Sequence, residues 1–379
     1  MPSGYRPVLR RPGAAVFFFT AAAGRVGIAM TGLGLLWLLH ARTGSYGTAG
    51  LATAGFALAE AGLGPQVARL VDRFGQPRVL LFSVAVHGVA VAGVLTAPSP
   101  AAIAFAACAG AAVPQLGALS AARWAHLLRE TDALPAAFSL ESLANATAFL
   151  LGPVLVTALG AAGFAAVAST LAAALVVGGG AALAAQRRTA PPPSRPGRPL
   201  FRPRFVRLAL LNLAVGLYFG TVGVSVSAFA TDHGVPGAAT PIVAAASIGG
   251  LVSGWCYGLR RHRVPARLQL VAAAAYLAGT AFLLPLAPSA LWLGAAVVVT
   301  EAAIPPTLVL LNVLTETAVD PAVRTQAFTW NNSASAAGSA VAAFAAGHLA
   351  DALGASAAFA LAPAAGLALL ALALALPSE

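Results

Sequence analysis

Apolar residues in this chain come in long runs, and the polar residues fall in the short gaps between them. An α-helix needs about 20 mainly apolar residues to cross roughly 30 Å of hydrocarbon. With that length as a ruler, and with charges, Pro and Gly as breaks, the pattern predicts twelve helical segments. They fall near 14–39, 46–68, 77–97, 99–122, 135–158, 161–184, 205–230, 238–259, 266–286, 289–314, 323–349 and 354–376. No long stretch has the mixed surface-and-core character of a soluble globular unit. Segment 1 reads as a span rather than a cleavable leader, because its apolar run is long and a second segment follows at once.

Composition supports the same class. The 379 residues are 59% hydrophobic and 9% charged, with a mean hydropathy of +0.85. A soluble domain carries about a quarter charged residues, so too little polar material remains here to cover a water-facing surface. A soluble enzyme is thereby excluded. All 22 basic residues are arginine; without lysine there is no phosphate-gripping P-loop and no Schiff base. The net charge of +11 does not point to nucleic acid, because the arginines sit in short clusters between apolar runs. Their distribution follows the positive-inside rule instead. The N-terminus, the loops after segments 2, 4, 6, 8 and 10 with their flanks, and the C-terminus hold 20 of the 22 arginines, leaving Arg42 opposite and Arg25 inside segment 1. Both termini are expected on the cytoplasmic side of a cell membrane. Cys108 and Cys256 lie inside apolar runs and are expected to be packed thiols.

The loop after segment 6 differs from the others. Residues 185–204, AAQRRTAPPPSRPGRPLFRP, are rich in Pro and Arg and read as a semi-extended linker near anionic headgroups. It divides the chain into a bundle at 1–184 and a bundle at 205–379. An internal repeat at an offset of 190 supports the division. Ala97-Pro98-Ser99 lies over Ala287-Pro288-Ser289, Gly64 over Gly254, Arg73 over Arg263, and Ala137-Phe138-Ser139 over Ala327-Phe328-Thr329. The expected fold is an all-α integral membrane protein of 12 transmembrane helices in two pseudo-symmetric six-helix bundles.

Six helices plus six with a basic central loop resemble the major facilitator superfamily. The loop after segment 2 strengthens the resemblance: residues 68–78, ARLVDRFGQPR, match the family's G-x-L-a-D-R-x-G-R-K at Asp72, Arg73 and Gly75, with Ala68 for the first glycine and Gln76-Pro77 for the Arg-Lys pair. GRVGIAMTGLGLL, TGSYGTAGL, SLESLANATAFLLGPVLVTAL and TQAFTWNNSASAAGSAVAAFAAGHLAD look like an efflux-type group common in actinobacteria. Departures exist. Gly152-Pro153 matches the centre of the antiporter motif, but Ala148, Val156 and Thr157 replace its flanking glycines, and Arg123 lies at a helix end rather than inside the fourth helix. The resemblance implies two bundles that rock about a central site, with segments 1, 4, 7 and 10 lining the cavity. It also implies that Asp72 and Arg73 hold the cytoplasmic side shut, the carboxylate capping a helix of the other half or pairing with an arginine.

An ionisable group in hydrocarbon is costly unless paired or watered, so each one inside a segment is a candidate for the pathway of cargo or protons. Arg25, Glu60 and Glu301 fall near mid-depth, and Glu141 is shallower. Arg25 needs a carboxylate, which Glu141 or Glu60 could supply; the pair would bind an anionic or polar cargo, break on protonation, or simply clamp two helices. Glu60 and Glu301 are candidate proton carriers, or else glutamates hydrogen-bonded to a neighbouring helix. Trp330, Asn331 and Asn332 on segment 11, and Asn212 and Tyr218 on segment 7, suit either a cavity wall or helix–helix contacts. No catalytic constellation, metal-ligand spacing or cofactor motif is visible. The expected function is a proton-coupled secondary transporter that exports a small organic molecule, acting as a monomer, with an importer or a non-transporting receptor as alternatives.

Overall fold

The structure, a computed structural model, describes residues 4–129, 131–193, 199–260 and 262–377. Residues 194–198 of the linker thus lie outside the described residues. Those described form sixteen α-helices and no strand. The short α1 (Tyr5–Leu9) precedes α2 (Ala14–Thr43), α3 (Tyr46–Phe74) and α4 (Gln76–Thr96). One further crossing is shared by α5 (Ser99–Ala111) and α6 (Leu116–Leu127), and α7 (Leu134–Ala161) and α8 (Ala165–Ala185) follow. After the linker come α9 (Pro203–Asp232), α10 (Ala239–Leu259) and α11 (Ala266–Ala281). Next, α12 (Ala290–Glu301) and α13 (Ile304–Ala318) share a crossing, and α14 (Arg324–Leu353), α15 (Ala355–Phe359) and α16 (Leu361–Leu374) end the chain.

Ten stretches among the described residues are long and apolar enough to cross a membrane. The second and ninth expected segments correspond to α3, which carries Glu60, and the 16-residue α11; both pack among the ten. The chain turns from α3 straight into α4 at Gly75, whose φ of 92° suits a residue without a Cβ. Arg267 donates to the Leu374 carbonyl (3.0 Å), placing the end of α16 beside the start of α11. Both ends of the described chain lie on one face.

The repeat seen in the sequence is also a repeat in space. The fourth span breaks after Ala111 and the tenth after Glu301, positions separated by the same 190 residues. The repeated Phe138 and Phe328, both buried, meet edge-to-face with ring centres 5.8 Å apart. Ser139 donates to the Gly254 carbonyl (2.5 Å), and their repeat mates Thr329 and Gly64 face each other across the other pair of helices. Three of the matched pairs, at Phe138, Ser139 and Gly64 and their mates, are thus places where the two halves touch near the face that bears the termini. Among the described residues, hydrogen bonds and ring contacts between the halves run from that face only as far as Ser333, which donates to the Ala61 carbonyl (3.5 Å).

Candidate functional site

Arg25 and Glu141 form an ion pair, with Arg25 7% and Glu141 5% exposed. The sites around Glu141 are filled. One carboxylate oxygen takes the guanidinium, and the other accepts from the Ser120 hydroxyl (2.5 Å) and the Trp124 indole N–H (2.8 Å). Arg25 also donates to the Glu141 main-chain carbonyl (3.2 Å). Multiple donors on a charged acceptor make a strong, directional junction, here tying α2 and α6 to α7. In this state the guanidinium charge is neutralised within the protein, which is the geometry of a clamp.

Glu60 and Glu301 are in a different situation. Neither has a hydrogen bond or ion pair with another described residue. Glu60 sits at the centre of α3. Glu301 is the last residue of α12, at the break in the tenth span. That break is written in the sequence: Pro305 and Pro306 have no N–H to return to the carbonyls of Glu301 and Ala302. The Ser253 hydroxyl takes the Ala302 carbonyl instead. Tyr218 of α9 lies within electrostatic reach of Glu301, and its hydroxyl is buried without a hydrogen-bond partner among the described residues.

The other polar candidates are scattered. Asn212 bonds back to the Leu208 carbonyl of its own helix (2.8 Å). Asn331 donates to Thr315 Oγ1 (2.8 Å), joining α14 to α13, and its amide oxygen is buried without a partner. Asn332 is exposed. Trp330 stacks edge-to-face on Phe201 (5.4 Å) and packs near Leu200, so it seats the end of the linker beside α14. Cys108 and Cys256 are free and lie on exposed helix faces, not packed inside as their apolar surroundings suggest, because in a bilayer apolar runs also face lipid.

The motif after the second span builds a contact between the halves. The two carboxylate oxygens of Asp72 accept from the backbone N–H groups of Thr325 (3.3 Å) and Gln326 (2.9 Å) at the start of α14. A carboxylate thus caps a helix of the opposite half, where the helix dipole favours it. Arg73 is exposed, its guanidinium 5.2 Å from the Phe74 ring. The Gln76 that departs from the motif has a partner, because its amide oxygen accepts from buried Arg123 (2.8 Å). Arg123 also donates to Thr189 Oγ1 (2.8 Å) and to the Leu183 and Gln186 carbonyls (2.9 Å each) at the C-terminal end of α8. It fastens the beginning of the linker, a role that its position at a helix end did not reveal.

A second contact comes from Tyr5, which the sequence pattern did not single out. Its hydroxyl donates to the Trp255 carbonyl (2.7 Å) and lies 3.2 Å from the Gly254 carbonyl and 3.3 Å from Ser139 Oγ, while its ring meets Trp255 at 4.7 Å. Burial pushes the hydroxyl above its ordinary pKa, so it stays a donor. The approach depends on Gly258, where a Cβ would collide with the Tyr5 hydroxyl and with Ser139. The available signal was the small-residue spacing of Gly254 and Gly258, which on its own marks only close packing.

Residues 16–343 match the profile of the Major Facilitator Superfamily. The chain belongs to the major facilitator superfamily. Solved structures of the superfamily's architecture superpose over nearly its whole length. A bacterial homologue of the iron transporter ferroportin, in an outward-facing state, gives a TM-score of 0.79 at 12% identity over 95% of this chain and 98% of that one. FucP in the outward conformation gives 0.73 at 12% identity over 97% and 98%. The human organic anion transporter MFSD10 gives 0.70 at 16% identity over 95% and 98%. At such identities the likeness shows the fold, with cargo left to each protein's own site. No curated protein matches the chain.

Proposed function

We propose that this facilitator is a proton-coupled exporter of a small organic molecule, working as a monomer by alternating access in the cytoplasmic membrane. The arginine distribution supports placing the face that bears the termini in the cytoplasm. On that placement the bonds of Asp72 and Tyr5 close the cytoplasmic side, and the conformation is outward-facing, as in the named ferroportin homologue and FucP structures. The bundles at 1–184 and 205–379 would rock about the central region, carrying the linker with them. Export as the direction follows from the resemblance to efflux-type facilitators.

One observation carries the coupling: Glu60 and Glu301 stand near mid-depth in opposite halves without a partner among the described residues. An ionised carboxylate there is costly, so each side's access and pH would set its protonation, and the protonation would bias the state. The test is flux in proteoliposomes under an imposed pH gradient. Wild-type protein should drive cargo with the gradient, and Glu301→Gln should transport without responding to it. A Glu60→Gln/Glu301→Gln protein that still follows the pH gradient would sink proton coupling.

A further inference from the structure

Near mid-depth of the spans, the ionisable groups without a partner among the described residues are carboxylates. Arg25, the arginine deepest in the first half, is paired with Glu141, and Arg123 spends its donors on neutral groups near the C-terminal end of α8. Glu60 and Glu301 keep their carboxylates without a partner among the described residues. An anionic cargo reaching mid-depth would meet like charge and no available guanidinium.

The broken tenth span sharpens this. A break in a helix exposes two ends, the carbonyl-bearing C-terminal end of one piece and the N–H-bearing N-terminal end of the next, and their dipoles favour opposite charges. Here the balance is upset. Pro305 and Pro306 stand in the first turn of α13 and remove two of the N–H groups with which that end would receive an anion. The C-terminal end of α12 keeps its carbonyls, loses the helical donors to Glu301 and Ala302, and adds the Glu301 side chain. Within electrostatic reach of Glu301 is the Tyr218 hydroxyl, fully buried and without a partner among the described residues. The broken span has lost two backbone donors and keeps its acceptors, and the tyrosine hydroxyl can serve as either.

We propose that the cargo is a monovalent organic cation, a protonated amine, whose N–H groups dock at the break in the tenth span on the Glu301 carboxylate, the freed Glu301 carbonyl and the Tyr218 hydroxyl oxygen. This deepens the transport reading and rests on it. A single carboxylate matches the single charge of an ammonium, and three acceptors match its N–H groups. Bound amine and bound proton exclude each other at Glu301, so release of one accompanies uptake of the other.

Labelling of Glu301 by a hydrophobic carbodiimide, read by mass spectrometry on the full chain in lipid nanodiscs, tests the proposal. Benzylammonium and phenethylammonium should slow modification of Glu301 about tenfold at ten times their dissociation constant, while benzoate and phenylacetate should have no effect. Tyr218→Phe should weaken the amine protection while Glu301 stays reactive. Protection by the carboxylates, or by neither pair, overturns the proposal. The proton-coupling reading is scored separately in the same experiment. Glu301 modification that rises as pH falls, with no amine protection, refutes the amine and leaves the coupling standing. Amine protection of a Glu301 whose reactivity ignores pH upholds the amine and refutes the coupling.

Discussion

Arg25 and Glu141 show what a charge inside a bilayer needs. Removing one member of a buried pair strands the other, at about 3–5 kcal/mol, whereas replacing both by apolar groups can be close to neutral. Arg25→Met should therefore lower the thermal midpoint of the purified protein sharply. Glu141→Leu should do the same and also release Ser120 and Trp124, which share its carboxylate. The double variant should recover much of the Arg25→Met loss, and a double-mutant cycle on thermal unfolding gives the coupling energy. Equal, additive losses would mean that the pair is not the unit the geometry describes. Asp72 is a second lesson at this scale. The motif left a helix cap and an arginine pair open, and two backbone amides of α14 are its partners.

At the level of elements, the breaks in the fourth and tenth spans are the departures from continuous helix that matter. Both follow from proline, through Pro114 before α6 and Pro305-Pro306 within the first turn of α13. Proline inside a helix costs about 3 kcal/mol relative to alanine, and it is tolerated here because it opens a new helix rather than interrupting one. A Pro305→Ala/Pro306→Ala protein regains two N–H donors and should run the tenth span through position 301. We expect a higher thermal midpoint and a loss of flux of about tenfold, equivalent to 1.4 kcal/mol, as the Glu301 carbonyl is reclaimed by the helix. A variant that is both more stable and fully active would show that the break has no part in transport. Gly258 is the corresponding case for α10. Any side chain there strikes Tyr5 and Ser139, so Gly258→Val should loosen α1 and expose the Gly4–Tyr5 region to limited proteolysis while leaving the Asp72 cap in place.

For the whole molecule, the decisive feature is that the two halves are held at one face by a few replaceable bonds. Asp72 caps α14 from one side of the pseudo-twofold axis, and Tyr5 reaches α10 from the other. The repeat position of Asp72 is His262, so the second half has no matching acid, and α1 supplies the contact on that side. Hydrogen bonds involving a charged group contribute about 1.5–3 kcal/mol each and neutral ones about 1 kcal/mol. Loss of both contacts in Asp72→Ala/Tyr5→Phe should thus shift the balance between the two states by tenfold or more. Spin labels at positions 78 and 263, exposed residues of opposite halves on this face, should gain a longer distance component in the double variant. An unchanged distribution would mean that packing such as Phe138 on Phe328 holds the face shut unaided.

The all-helical class, most of the helical segments and the internal repeat were legible in the sequence because they rest on run length and residue spacing, both properties of the chain read in order. The Asp72 motif was legible for the same reason, and so was the need of Arg25 for a carboxylate. Which carboxylate answered depended on the packing of α2 against α7. Glu141 and Glu60 are equivalent as letters, and only tertiary structure surrounds one with Arg25, Ser120 and Trp124 and leaves the other alone. Trp330, Asn331 and Asn332 are adjacent in sequence, yet a helix turns about 100° per residue and sends them to the linker, to α13 and to an exposed face. Tyr5 and the partners of Arg123 escaped notice because those partners lie far off in sequence and include main-chain carbonyls, which every residue carries. Run length and composition determined where the long apolar helices lie, and the meeting of helices distant in sequence decided which carboxylates are paired among the described residues.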